Sequence, residues 1–600
     1  MTGRQRLVLH GVAAAVTLLV LAPWFAPGYV LSYDLVFVPH QPLRWDLVAP
    51  AGGLPRAVPQ DAVVSLLSLV VPGWLLERLA VGGAIYAASI GAGRLVPAQR
   101  LLTRVVAAVG YAWTPFLAER FLLGQWGLLL AYGALPWLVA ACFEVRRRVP
   151  GALPRLIVPA AVCALTPTGG LLALGTTVVL IAGRRRPRRV ERGRANGGEV
   201  GGGGGADGGE VGGGGANGGD IEGGGADGGA RGWARGAVAG IGAVTVLQLP
   251  WIVAAATTEA SGRTDPAGVA AFAARGENWS GPVGALAGTG GIWNALTTPA
   301  SRGSALVPVL TIGLIALAVL GFRVLRERWP AGDATRLALL AGIGFAIALL
   351  GVVPGLSDGL AWVVGRVPGA GVLRDGHKFL APYALLLVVC AALGVERLAA
   401  RLAEPRARLV LLAAALLPVA VMPDLAWGGA GALRPVRYPA DWDRVAAHVA
   451  AEPGEVLSLP FHEYLAYGWN RGRVVIDPAP RYLDADVLAD DTLRVGEVAL
   501  RGENPRAARV RELLAAGQPV SGTGVRWVLV QRQAGGAVPE GALAGLQLVY
   551  SGQFLDLYAN PAVTRGLPPN KTRGSTVLSV DLAVLALVIA AVWRLRRRPT

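Results

Sequence analysis

The chain has 600 residues, 53% of them hydrophobic and 16% charged, with a formal net charge of +17. Soluble domains carry about 25% charged residues, so an ordinary water-soluble enzyme and a disordered chain are both excluded. Nucleic acid is not the expected partner of so basic a chain, because the cations interrupt long apolar runs instead of coating one face.

Runs of about 20 apolar residues predict helices across a bilayer. They fall near 7–26, 78–94, 102–118, 125–145, 152–167, 168–183, 234–256, 305–323, 335–354, 378–396, 408–423 and 576–593. The fold class is therefore an α-helical polytopic membrane protein of about twelve spans. Residues 1–26 have a short basic start and an apolar run, but Pro23, Trp24, Phe25 and Pro27 suit a cleavage site badly, so this span reads as a retained signal anchor. The pair at 152–183 is broken by Thr166-Pro167-Thr168-Gly169-Gly170, which signals a tight turn. One long kinked helix is the alternative, and it would reverse every later loop.

The cations choose between these topologies, since Arg and Lys collect on the cytoplasmic side of short loops. With twelve spans, 30 of the 56 cations fall on inside segments, including Arg146-Arg147-Arg148, Arg184-Arg185-Arg186, Arg188-Arg189 and Arg596-Arg597-Arg598. Ten fall in short outside loops and 16 in the long segment 424–575. Both termini are thus expected in the cytoplasm of a multi-pass plasma-membrane protein. The expected organisation is an N-terminal membrane region 1–183 with a first outside loop 27–77, a Gly-rich cytoplasmic linker 184–233, a second membrane region 234–423, an extracytoplasmic domain 424–575, and a final span with a basic tail, 576–600. The loop 257–304 carries Trp279 and Trp293, which suit a membrane interface. The 424–575 segment predicts a helix over 441–451 and strands near 455–459, 473–476, 525–531, 546–550 and 554–558, a small mixed α/β domain with 16 acids against its 16 cations. Cys142, Cys163 and Cys390 lie inside apolar runs and read as small buried hydrophobes.

Three clusters can carry chemistry. The first outside loop reads Gly28-Tyr29-Val30-Leu31-Ser32-Tyr33-Asp34, and further on offers His40, Arg44, Asp46, Arg56 and Asp61. An acid just beyond a membrane helix is partly desolvated and can take a proton from a hydroxyl; the plainer reading is a solvated loop acid. The second cluster, Arg374-Asp375-Gly376-His377-Lys378, lies on the expected outside, where cations are uncommon, and holds one of only two lysines in the chain. Arg374, His377 and Lys378 can clamp a lipid-linked phosphate, with Asp375 orienting them, or can simply anchor in headgroups. Third, Glu119-Arg120 sits in a short turn, as a functional pair or as an ion pair capping helix ends. No motif demands a cofactor. Asp484, Asp486, Asp490 and Asp491 place four carboxylates in eight residues, which can take a divalent cation or form a solvated acidic turn.

Tyr33-Asp34, Trp113-Thr114-Pro115-Phe116 with Glu119-Arg120, and Arg374 to Phe379 together resemble the GT-C superfamily of membrane glycosyltransferases, in its actinobacterial arabinofuranosyltransferase branch. The likeness covers roughly residues 1–425, and the use of Arg in place of Lys fits a high-GC bacterium. It implies a sugar donor on a polyprenyl phosphate, a cell-envelope glycan or glycolipid as acceptor, and inverting transfer. Asp34 would be the catalytic base; Arg374, His377, Lys378, Glu119, Arg120, His40 and Asp46 would bind substrate. A transporter or flippase of lipid-linked sugars and an inactive scaffold of the same fold are the alternatives.

Overall fold

The computed structural model describes residues 1–50, 52–182, 224–260, 262–563 and 571–597. Each of the twelve apolar segments contains helix, but they are not twelve equal spans. Among the described residues, eight helices are long and apolar enough to cross a membrane. Two bent pairs, Ala234–Val246 with Leu249–Ala256 (50°) and Glu404–Val421 with Pro423–Ala430 (66°), bring the number to ten if each is one span. The stretch 152–183 forms Ala152–Cys163 and Pro167–Ile181, 12 and 15 residues long, where hydrocarbon demands about 20. The turn between them is where the sequence breaks: Thr166 caps the second helix by accepting from the Gly169 amide, and Pro167 fills its first position. The linker expected over 184–233 lies outside the described residues as far as 223, with the arginines at 184–186 and 188–189; from Gly224 the chain is helical to Val246.

The helices pack through small residues, as apolar solvent requires. Val307–Arg328 crosses Ala381–Ala399 so closely that a methyl group on Gly321 would strike the Cys390 carbonyl, and one on Gly394 the Leu317 carbonyl. Tyr111 and Tyr132 stack at 4.1 Å in the middle of the bundle, each hydroxyl donating to the other's carbonyl. Most of the helix Arg573–Arg596, by contrast, is unburied.

Beyond the bundle stands the mixed α/β unit. Its strands are β1 (Val456–Leu459), β2 (Tyr464–Ala466), β3 (Val474–Ile476), β4 (Val487–Leu488), β5 (Leu493–Val495), β6 (Val498–Leu500), β7 (Trp527–Gln531), β8 (Gln547–Ser551) and β9 (Leu555–Ala559). Five form one sheet in the order β4-β1-β7-β9-β8, with β1 parallel to β4 and β7 and the rest antiparallel. Alternation along the strands splits the apolar residues between two faces. Val456, Trp527 and Leu529 pack with Trp442, Val445 and Val449 of the helix Asp441–Ala451. Leu457, Leu459 and Val528 pack with Ala507 and Val510 of the helix Pro505–Ala515. β2–β3 and β5–β6 are separate hairpins.

The first loop joins the two halves. Residues 30–38 run between the layers and turn tightly at Tyr33 and Asp34, where Ser32 and Leu35 exchange backbone hydrogen bonds and Tyr33 has φ +45°. Val30, Leu35 and Phe37 belong to the core of the helices, while Leu31, Val36 and Val38 belong to the core of the α/β unit. Tyr33 lies parallel to Val475, donating its amide to Val474 O and accepting from Ile476 N. Arg473 reaches back from the α/β unit to Ser32 Oγ (2.7 Å) and to the Leu122 carbonyl (3.0 Å). Glu77 accepts the Val30 amide at 3.0 Å.

The loop can lie this close only because residue 124 is glycine. Gly124 has φ +72°, and a Cβ there would collide with Ser32 O and Leu35 N. Gly124→Ala is expected to cost about 1–3 kcal/mol in backbone strain, plus the clash. The check is a lower melting temperature in detergent at unchanged helical content.

Candidate functional site

A cavity of about 1160 Å³ opens where the first loop, the helix ends and the α/β unit meet. Trp126, Leu128, Leu171 and Trp251 make its apolar limb, among the helices. Asp34, Arg56, Arg374, Lys378 and Glu463 line its polar end. The combination suits a ligand that is part hydrocarbon and part polar.

Asp34 is held from both sides. Gln125, just before the helix Trp126–Arg146, donates to Oδ2 at 3.0 Å. Tyr464, in β2, donates to Oδ1 at 2.6 Å. Its own amide donates to Leu123 O at 3.3 Å. Among the described residues each carboxylate oxygen receives one side-chain donor, which leaves it a further lone pair.

Arg374 lines the same cavity, over the Phe272 ring at 4.7 Å, with no carboxylate within ion-pair distance among the described residues. Burial, with the neighbouring Arg56 charge, pushes its guanidinium down to about 10. A desolvated cation that lacks an anion is a ready partner for one. Lys378 lies 3.5 Å from Asp375 and lines the cavity with Asp34.

Behind these groups lies a buried core of charge. Arg120, fully buried, donates to both oxygens of Asp375, at 2.9 and 3.0 Å. It also donates to Gln125 Oε1 at 2.7 Å and to His377 Nδ1 at 2.6 Å. Burial alone would raise the Asp375 carboxyl; Arg120 and Lys378 outweigh it and hold the group well below the usual carboxylate range. One chain of contacts thus runs Asp34–Gln125–Arg120–Asp375–Lys378, from the acid to the lysine.

Not every expected site residue reaches the cavity. His377 is 1% exposed, stacked on Phe116, with Nε2 3.5 Å from Glu119, so it faces the buried charges and not the ligand space. Glu119 is equally buried and accepts from the Gly291 and Ile292 amides. Glu119 and Arg120 therefore support the site from beneath, because helix Pro115–Leu122 turns them inward. His40 is exposed outside the cavity lining, its ring 3.4 Å from Ser68 O. Asp46 pairs with Arg44 at 2.6 Å, and Arg44 reaches the Pro480 and Leu483 carbonyls, so Asp46 fastens the loop to the α/β unit. Trp293 lines the cavity. In the acidic run, Arg511 bridges Asp490 (2.5 Å) and Asp491 (3.0 Å). Among the described residues no group of three or more His, Cys, Asp or Glu side chains is placed to hold a metal ion.

Tyr464 and Arg473 had no signal in the sequence. Each lies more than 400 residues from the loop it supports, and neither sits in a motif.

No protein-family model matches the chain, and neither does any curated protein. The solved structures that match are of the arabinofuranosyltransferase AftD from mycobacteria. One cryo-EM structure superposes with a TM-score of 0.53 at 17% identity, covering 95% of this chain and 40% of that one. Two classes of a point mutant give 0.52 at 17% identity, covering 95% of this chain and 42% of theirs. The chain spans about two fifths of that enzyme's length. At this identity the likeness is one of fold: the chain has the fold of the part of that enzyme it superposes on.

Asp375→Asn tests the buried pair. Removing one charge leaves Arg120 uncompensated, at a cost of about 3–5 kcal/mol. The expected readout is a marked loss of thermal stability in detergent, which Glu404→Gln, at an exposed pair with Arg408, should not match.

Proposed function

We propose that the chain is a membrane glycosyltransferase that moves a sugar from a polyprenyl-phosphate donor to an envelope glycan or glycolipid. The observation that carries this reading is one cavity holding a positioned carboxylate, Asp34, with the cations Arg374 and Lys378, and running on into an apolar limb. The fold likeness supports it. The prenyl chain lies along the apolar limb and the phosphate against Arg374 and Lys378. Asp34 takes the proton of the acceptor hydroxyl as its oxygen bonds to the anomeric carbon. The carbon–oxygen bond to phosphate breaks, and its electron pair leaves with the phosphate. Cations there stabilise the charge that grows in the transition state. A single base and direct displacement invert the sugar carbon. Both termini lie in the cytoplasm, and the α/β unit stands outside the plasma membrane, as the cation distribution implies.

The test is transfer from a radiolabelled polyprenyl-phosphoryl sugar by the purified chain, with flipping assayed in parallel vesicles. Asp34→Asn is expected to fold and to lose about 10²–10⁴-fold in rate. Full activity in that variant, or flipping without transfer in the wild type, overturns the reading. Arg374→Ala and Lys378→Ala are expected to weaken donor binding; unchanged donor affinity in both removes the phosphate clamp. Tyr464→Phe removes one donor to Asp34 and is expected to lower kcat while leaving donor affinity as it was.

A further inference from the structure

The polar end of the cavity holds a second group of charges, which the displacement chemistry does not use. Arg56 comes from the first loop. Glu463 stands just before β2, and Glu503 just before the helix Pro505–Ala515; all three line the cavity. Arg56 lies 3.7 Å from Glu463 and 3.8 Å from Glu503. Both separations exceed hydrogen-bond range, which ends near 3.2 Å for N–H···O.

The two carboxylates are left short of donors. Oε2 of Glu463 and Oε2 of Glu503 are buried and receive no hydrogen bond among the described residues. The Glu503 side chain is only 6% exposed, and its other oxygen accepts from Thr264 Oγ1 at 3.0 Å. Leaving a buried acceptor unsatisfied costs about 1–3 kcal/mol, so each of these oxygens calls for a donor that water or a ligand supplies.

The missing partner is a donor. Arg374 lines the same end of the cavity, and with it the two acids and two guanidiniums balance, so the group calls for no net charge on its ligand. Neighbouring hydroxyls of a sugar ring donate to carboxylates and accept from a guanidinium at once. Trp293 and Phe272, edge to face at 4.8 Å, give the same cavity an aromatic wall for the C–H face of a sugar, and the Trp293 indole N–H is itself buried without an acceptor among the described residues. Burial pushes the Glu463 carboxyl up to about 7, with Arg56 opposing the shift and Asp34 adding to it, so the group can also donate to a hydroxyl near neutral pH. Position agrees, because Glu463 adjoins Tyr464, which donates to Asp34.

We infer that Glu463, Glu503 and Arg56 form a hydroxyl-recognising subsite for a neutral sugar, built largely by the α/β unit. That the sugar is the acceptor rests on the glycosyltransferase reading; that the subsite binds a neutral sugar does not. The full chain in nanodiscs is titrated with octyl α-arabinofuranoside and, separately, octyl β-glucuronide, and binding is followed by saturation-transfer NMR. The arabinofuranoside is expected to bind the wild type more tightly than the glucuronide. Glu463→Ala and Glu503→Ala are each expected to weaken it about fivefold or more, with melting temperatures unchanged. Glu463→Gln, which keeps an acceptor oxygen, is expected to restore most of the affinity. Failure of the wild type to bind the arabinofuranoside, equal affinity in both alanine variants, or preference for the glucuronide overturns the inference. Transfer from a polyprenyl-phosphoryl sugar separates the two readings: a wild type that binds the arabinofuranoside and transfers nothing counts against the glycosyltransferase reading alone.

Discussion

The site is organised around one buried ion pair, Arg120 with Asp375. Arg120 is fully buried, and a guanidinium in that position needs most of its donors satisfied. It finds them in Asp375, Gln125 and His377. Those partners are what the cavity is built from. Gln125 holds Asp34, and Asp375 faces Lys378. A buried pair of this kind adds little net stability, since desolvation offsets most of the attraction. What it contributes is position, because an arginine fork accepts its carboxylate in few geometries.

A second constraint is the first loop, which enters two different cores on either side of the turn at Tyr33 and Asp34. Past that turn Leu35 and Phe37 face the helices while Val36 and Val38 face the α/β unit, so a slip of one residue exchanges the two sets. Register in the loop therefore sets where Asp34 points. The α/β unit is part of this arrangement and not an appendage. It supplies Tyr464 to the acid, Arg473 to the loop, and Glu463 and Glu503 to the cavity wall. The cavity grades accordingly from apolar, among the helices, to charged, beside the α/β unit, which is the gradient a lipid-linked polar group requires.

Reading the residues alone went furthest where the signal is local. The strand-like runs of 455–459, 473–476 and 525–531 are strands, and 441–451 is helix, because period and turn residues speak for themselves over short windows. Asp34, Arg374 and Lys378 stood out because charge beside an apolar run is uncommon, and all three line the cavity. The same argument picked His377, Glu119 and Arg120, which the fold turns inward, and His40 and Asp46, which it places outside the cavity lining. Cost at membrane depth marks a residue as needing a partner; it does not say whether that partner is a ligand or another side chain. Of the twelve apolar runs, eight to ten are helices long enough to span among the described residues, since a run broken by Pro or Gly can be a bent pair or two short helices.

By itself the sequence determined a helical membrane protein with a small α/β unit and a short set of residues able to do chemistry. These follow from run length, hydropathy and charge, which act over a few residues. The tertiary structure alone decided which of those residues share one cavity, and that Tyr464, Glu463 and Glu503 join them. Burial and hydrogen-bond partners are set by segments hundreds of residues apart, and nothing in a local window encodes which carboxylate will be left facing a ligand.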